Sequence, residues 1–137
     1  MFDKKILFFF EDVNIKIDKK KIYNLVNKII KEEKKKLISI NYIFCSDKFL
    51  HKINVESLNH DTLTDVITFN YSENDNIEGE IYISTDRVEN NAQDLNIDFE
   101  NELMRVIAHG VLHLIGYNDK TDDEIKIMRA KENYYIS

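Results

Sequence analysis

Leu37-Ile-Ser-Ile-Asn-Tyr-Ile-Phe-Cys45 sets Ile38, Ile40, Tyr42 and Phe44 on one side of an extended chain and Ser39, Asn41 and Ile43 on the other. Side chains alternate across a strand with period two, so the stretch reads as a strand half-covered by helices. Its neighbours follow the helical period. Before it, Ile22, Leu25, Val26, Ile29 and Ile30 recur at helical spacing up to Lys35, with Asp18 placed as N-cap and lysines enriched at the C-terminal end. After it, Ser46 can cap a helix whose Phe49, Leu50, Ile53 and Leu58 lead to the polar loop Asn59–Thr64. Lys5–Glu11, an apolar and aromatic run bounded by charge, predicts another strand. Val66–Tyr71 and Glu80–Ser84 predict two more, with Ser72–Glu78 as the turn between them. Thr85–Leu95 is helix-compatible through Val88, Ala92 and Leu95. Asp98 can cap a helix running through Leu103, Val106, Ile107 and His109 to Leu114. Thr121-Asp-Asp-Glu124 has capping-box spacing for a last helix to Asn133, with Ile125, Met128 and Ile127 packed back on the preceding one. The expected fold is α+β, a small mixed sheet of about four strands packed with about five helices.

A chain of 137 residues without repeats or Gly/Ser linkers fits one domain over residues 1–137, because two would each bury too little. Its apolar runs, Ile6–Phe10 and Ile38–Cys45, fall far short of the roughly 20 residues that span a bilayer. Met1–Lys5 does not open a signal peptide, and a cytoplasmic protein is expected. Cys45 is the only cysteine. It excludes an internal disulfide, and at the end of an apolar run it reads as a small buried hydrophobe. A formal net charge of −6 argues against broad attraction to nucleic acid, so any RNA site must be local.

The chemistry concentrates in His109-Gly-Val-Leu-His113-Leu-Ile-Gly116-Tyr-Asn-Asp119. Residues i and i+4 share a helix face, so His109 and His113 can aim two imidazoles at one ion from the C-terminal end of their helix. A bare pair at this spacing is also what two buried, hydrogen-bonded histidines look like. Gly116 favours the left-handed helix stop that lets the chain turn back and present Asp119 to the same ion, although an aspartate after a helix end is also a common turn residue. Two histidines and one carboxylate leave a coordination position open, as in catalytic rather than structural zinc. One zinc ion per chain is expected. The pattern overlaps that of zinc proteases, which place a glutamate base directly after the first histidine, but Gly110 stands there. Arg105, one turn before His109, is a candidate for a substrate phosphate or for a surface pair with Glu102.

Together with Leu63-Thr-Asp-Val-Ile-Thr-Phe69 and Gly79-Glu-Ile81, the string from His109 to Tyr117 resembles the YbeY family of endoribonucleases in order and spacing, across essentially the whole chain. The resemblance implies a small zinc-binding α+β protein that matures the 3′ end of small-subunit rRNA and acts in ribosome quality control. Its partners would be precursor rRNA and the ribosome or small-subunit proteins. Two positions depart from the family pattern. Asp119 stands where the family carries its third ligand histidine, which should lower the net charge and Lewis acidity of the site. Leu58 and His60 stand where the loop usually carries an arginine and a lysine. His60 could donate to a phosphate when protonated, or be a solvated loop residue. The leading expectation is a zinc-dependent, single-strand-specific endoribonuclease with Arg105 and His60 as candidate catalytic groups. The competing ones are a ribosome-associated binding factor with a structural ion, and a metal-dependent hydrolase of another substrate, which Gly110 disfavours.

Overall fold

The computed structural model describes residues 5–58 and 64–137. Four strands, β1 (Ile6–Phe10), β2 (Lys36–Cys45), β3 (Val66–Asn70) and β4 (Asn76–Ser84), form one sheet in the order β1-β2-β4-β3. β1 and β4 flank β2 in parallel, and β3 closes the edge antiparallel to β4. Among the described residues five helices, α1 (Lys19–Glu32), α2 (Asp47–Leu58), α3 (Thr85–Leu95), α4 (Phe99–Ile115) and α5 (Asp122–Ile136), complete the α+β fold. No helix among the described residues is long and apolar enough to cross a membrane.

The alternation of the strands divides the interior. Ile6, Ile40, Tyr42, Phe44, Ile81 and Ile83 face a core filled by α1, α4 and α5, while Cys45 and Ile67 look to the other side, where Leu50 of α2 covers them. The β2 register departs from the simple reading at its start. A bulge between Leu37 and Ser39 turns Leu37 inward and leaves Ile38 38% exposed, so the inner face begins at Leu37. β4 is longer than expected. Asn76–Gly79 pair with β2 and carry the buried Ile77, and the connection from β3 runs over Tyr71–Asp75, because backbone pairing, indifferent to the polar side chains of Asn76 and Glu78, extends the ladder.

Asp18, Asp98 and Thr121 cap their helices as the sequence indicates, and the reciprocal Thr121–Glu124 capping box is present. Ser84 ends β4 and caps α3 in one residue. α5 runs past Asn133 to Ile136, and its inward line is Met128, Glu132 and Tyr135. Ile125 and Ile127, expected to pack inward, are 43% and 51% exposed. Two glycines allow α4 to lie close on the sheet. A Cβ on Gly79 would sit 2.6 Å from the Phe69 carbonyl oxygen and 2.7 Å from Leu114, and one on Gly110 would sit 2.9 Å from Ile81. The position where the zinc proteases keep a glutamate has no room here for any side chain without a shift of Ile81.

Candidate metal centre

His109 and His113 lie one turn apart near the C-terminal end of α4, and Gly116 ends that helix at φ 123, a conformation that favours glycine. The Gly116 amide donates to the Leu112 and His113 carbonyls, and the Tyr117 amide donates to Leu112. The turn is then anchored from outside. Tyr117 Oη donates to Glu33 Oε1 over 2.6 Å, and Glu33 also accepts from Lys131 Nζ at 3.0 Å and from the Tyr135 hydroxyl. The end of α1 and the last turns of α5 thus hold the segment that returns Asp119 to α4.

The result is a tight three-atom cluster. His109 Nε2 lies 2.9 Å from His113 Nε2, and Asp119 Oδ2 stands 3.3 Å from the first and 3.4 Å from the second. Among the described residues it is the one group of three or more ligand-type side chains whose donor atoms all lie within 4.8 Å of one another. These residues fit a zinc ion by donor type and spacing, since neighbouring ligand atoms of a tetrahedral zinc, each about 2.0–2.1 Å from it, are about 3.3 Å apart. The histidine side chains are about one-fifth exposed and Asp119 is 40% exposed, so the cluster opens to solvent on the aspartate side.

Behind His109 stands a residue that the sequence reading did not single out. Glu132 of α5, 4% exposed, places Oε2 2.6 Å from His109 Nδ1, while its Oε1 accepts from Arg105 at 3.2 Å. A carboxylate on Nδ1 holds the proton there and leaves Nε2 free to ligate. Burial works against a charged His109, but the hydrogen bond and charge of Glu132, with Asp65 and Asp119 beyond, outweigh it and raise its pKa. Burial and the neighbouring His109 lower that of His113. Burial likewise opposes ionisation of Glu132, yet His109 and Arg105 hold its carboxyl below the usual range.

Two cavities open beside the cluster. One of about 250 Å³ lies between α4 and β3, lined by Thr64, Asp65, Thr68 and the three cluster residues. The other, about 490 Å³, runs between α3, α4 and α5 and shares Asp65, His109 and Asp119 with the first. Burial pushes the Asp65 carboxyl up against the pull of His109. Arg105 lines the larger cavity, one-fifth exposed, between the buried carboxylates of Glu132 and Glu102. His60 lies outside the described residues, as does Leu63, and the side chain of Leu58 is likewise not described. In the sequence Asp65 stands only as part of the Leu63–Phe69 motif and Glu102 only as a surface partner for Arg105, and Glu132 is in neither motif. In the structure Glu132 falls on the inward line of α5 between Met128 and Tyr135, where a charge demands a partner.

An α+β scaffold carrying an open His-His-Asp cluster at a helix end, with two cavities opening beside it, belongs to the class of metal-dependent hydrolases. Within that class the chain belongs to the YbeY endoribonuclease family, whose profile, described as Endoribonuclease YbeY, matches residues 8–137. The chain is 53% identical over 133 residues to Endoribonuclease YbeY of Amoebophilus asiaticus, covering 96% of this chain and 90% of that protein. To Endoribonuclease YbeY of Flavobacterium johnsoniae it is 55% identical over 109 residues, covering 80% and 78%. To that of Cytophaga hutchinsonii it is 47% identical over 139 residues, covering 100% and 97%. A solution structure of a Thermotoga maritima protein superposes with a TM-score of 0.67 at 33% identity, covering 96% of this chain and 86% of that one.

Proposed function

We propose that this protein is a zinc-dependent, single-strand-specific endoribonuclease that matures the 3′ end of small-subunit rRNA, with the ion held by His109 Nε2, His113 Nε2 and an Asp119 oxygen. The observation that carries this reading is the three-atom cluster with edges of 2.9, 3.3 and 3.4 Å, seated where two cavities meet. A bound zinc ion supplies Lewis acidity at the scissile phosphate. The protein's own groups prepare that position. Glu132 fixes the ring of His109, the Glu33–Tyr117 bond fixes the turn that carries Asp119, and Gly110 keeps α4 against the sheet so that both imidazoles reach one point. Arg105 and Arg129 line the larger cavity and supply its two cationic side chains, among the carboxyl groups of Asp65, Asp94, Glu102, Asp119 and Glu132. Arg129, with 60% of its side chain exposed, is better placed than the enclosed Arg105 to reach a phosphate.

The test is cleavage of a 3′-extended small-subunit rRNA fragment by highly purified protein. Cleavage abolished by chelator, restored by zinc and lost in His113→Ala supports the reading. Tight RNA binding with no metal-dependent cleavage would instead favour a binding factor.

A further inference from the structure

The larger cavity has features that the metal cluster does not use. Leu95 at the end of α3 is 55% exposed and Ile125 in the first turn of α5 is 43% exposed, and both line it, so its mouth carries two apolar side chains beside the charged Asp94 and Arg129. Glu102 lines the interior at 4% exposure. Its Oε1 has no hydrogen-bond partner among the described residues, and Arg105 Nε stands 3.8 Å away, outside hydrogen-bonding range. A buried carboxylate oxygen without a donor costs free energy that a ligand N–H would recover, and exposed apolar side chains at a mouth are stabilised when a flat apolar surface covers them.

A ligand with flat apolar faces and an edge of N–H donors is a nucleobase. The four bases present different edges to a carboxylate. Guanine offers N1–H and N2–H side by side, matching two oxygens in a charge-assisted pair. Uracil offers one N–H between two carbonyl oxygens that a carboxylate repels, and adenine and cytosine offer one amino donor beside a ring acceptor. We infer that this cavity is a nucleobase subsite for an unpaired guanine next to the cleaved bond, with its Watson–Crick edge on Glu102 and its ring against Leu95 and Ile125. The inference rests on the nuclease reading. It explains single-strand specificity, because a base paired in a duplex has already spent the edge that Glu102 accepts from.

The full chain is titrated separately with the four nucleoside 5′-monophosphates and followed by two-dimensional amide NMR. GMP should shift resonances of Leu95, Ile125 and Met128 and bind about ten-fold more tightly than UMP. Glu102→Gln should remove most of that preference, and Ile125→Ala, at an exposed position that folding tolerates, should weaken GMP about three- to ten-fold. Equal affinity for all four nucleotides, shifts confined to other surfaces, or an unchanged GMP affinity in Ile125→Ala would overturn the inference. Failure of the nuclease reading looks different. RNA cleavage without any guanine preference removes the subsite alone, whereas guanine binding in the cavity without RNA cleavage removes the nuclease alone.

Discussion

Glu132 Oε2 lies 2.6 Å from His109 Nδ1, although the two residues sit on different helices and 23 positions apart. This bond makes the last helix part of the candidate metal centre. Glu132→Ala should weaken zinc binding by about 10–100-fold, and Glu132→Gln, which keeps an acceptor oxygen, by less. Calorimetric zinc titrations of folded variants decide it, and wild-type affinity in Glu132→Ala would show that the carboxylate is only an internal ion-pair partner.

The same bond sets a pH dependence. A proton on His109 Nε2 excludes the metal, and the His109 pKa lies above its ordinary value near 6.5, so affinity should fall on acidification beginning on the alkaline side of 6.5. His113, with its pKa lowered, contributes only at more acidic pH. In the metal-free protein the raised His109 pKa stabilises the fold below the unfolded imidazole value, an effect lost as pH rises through the folded pKa. The lowered Glu132 pKa stabilises it above the unfolded carboxyl value, an effect lost as pH falls through the folded one. Glu132→Gln should move the onset of zinc loss to lower pH. An onset that does not move would separate Glu132 from His109 protonation.

Tyr42 is fully buried between the rings of Phe8 and Phe44, and its hydroxyl has no hydrogen-bond partner among the described residues. Removing an unsatisfied buried hydroxyl while keeping the ring should stabilise the protein by about 1 kcal/mol. Thermal unfolding of Tyr42→Phe should shift upward by a few degrees, whereas a drop would reveal a partner for the hydroxyl.

Cys45 is wholly buried, donates only weakly to the Ile83 carbonyl over 3.5 Å, and burial with the nearby Asp12 and Glu11 carboxylates pushes its thiol up to about 12. The native protein should therefore resist a thiol-reactive dye at pH 8 and react only as it unfolds. Rapid labelling of one thiol per folded chain would contradict that.

The parts of this structure that were legible from sequence are those where a local pattern has one physical solution. Period-two alternation over Leu37–Cys45 located β2, the Thr121–Glu124 spacing located the start of α5, and an i, i+4 histidine pair followed by Gly116 located the cluster. What escaped depends on partners distant in sequence. The bulge that buries Leu37 and exposes Ile38 is set by β4, and the extension of β4 to Asn76 is set by β2. Glu132 reads as a solvated helix acid until α5 is docked on α4, after which Arg105 and His109 account for its burial. Ile125 and Ile127 misled for the complementary reason: the inward line of α5 is occupied by Met128, Glu132 and Tyr135, and the isoleucines fall beside it. At Gly110 the sequence shows only that a glutamate is lacking, and the reason for the glycine is Ile81 pressing on the helix.

The central claim is that Asp119 completes a three-ligand site with His109 and His113, and it is tested most directly by zinc competition titration at fixed pH of wild type, Asp119→Ala and Asp119→His. One ion per chain is expected in the wild type. Affinity should fall markedly in Asp119→Ala, which leaves two imidazoles, and should be retained or tightened in Asp119→His, which restores a donor atom at the same turn. Equal affinity in all three proteins, or no zinc uptake by the wild type, would contradict it.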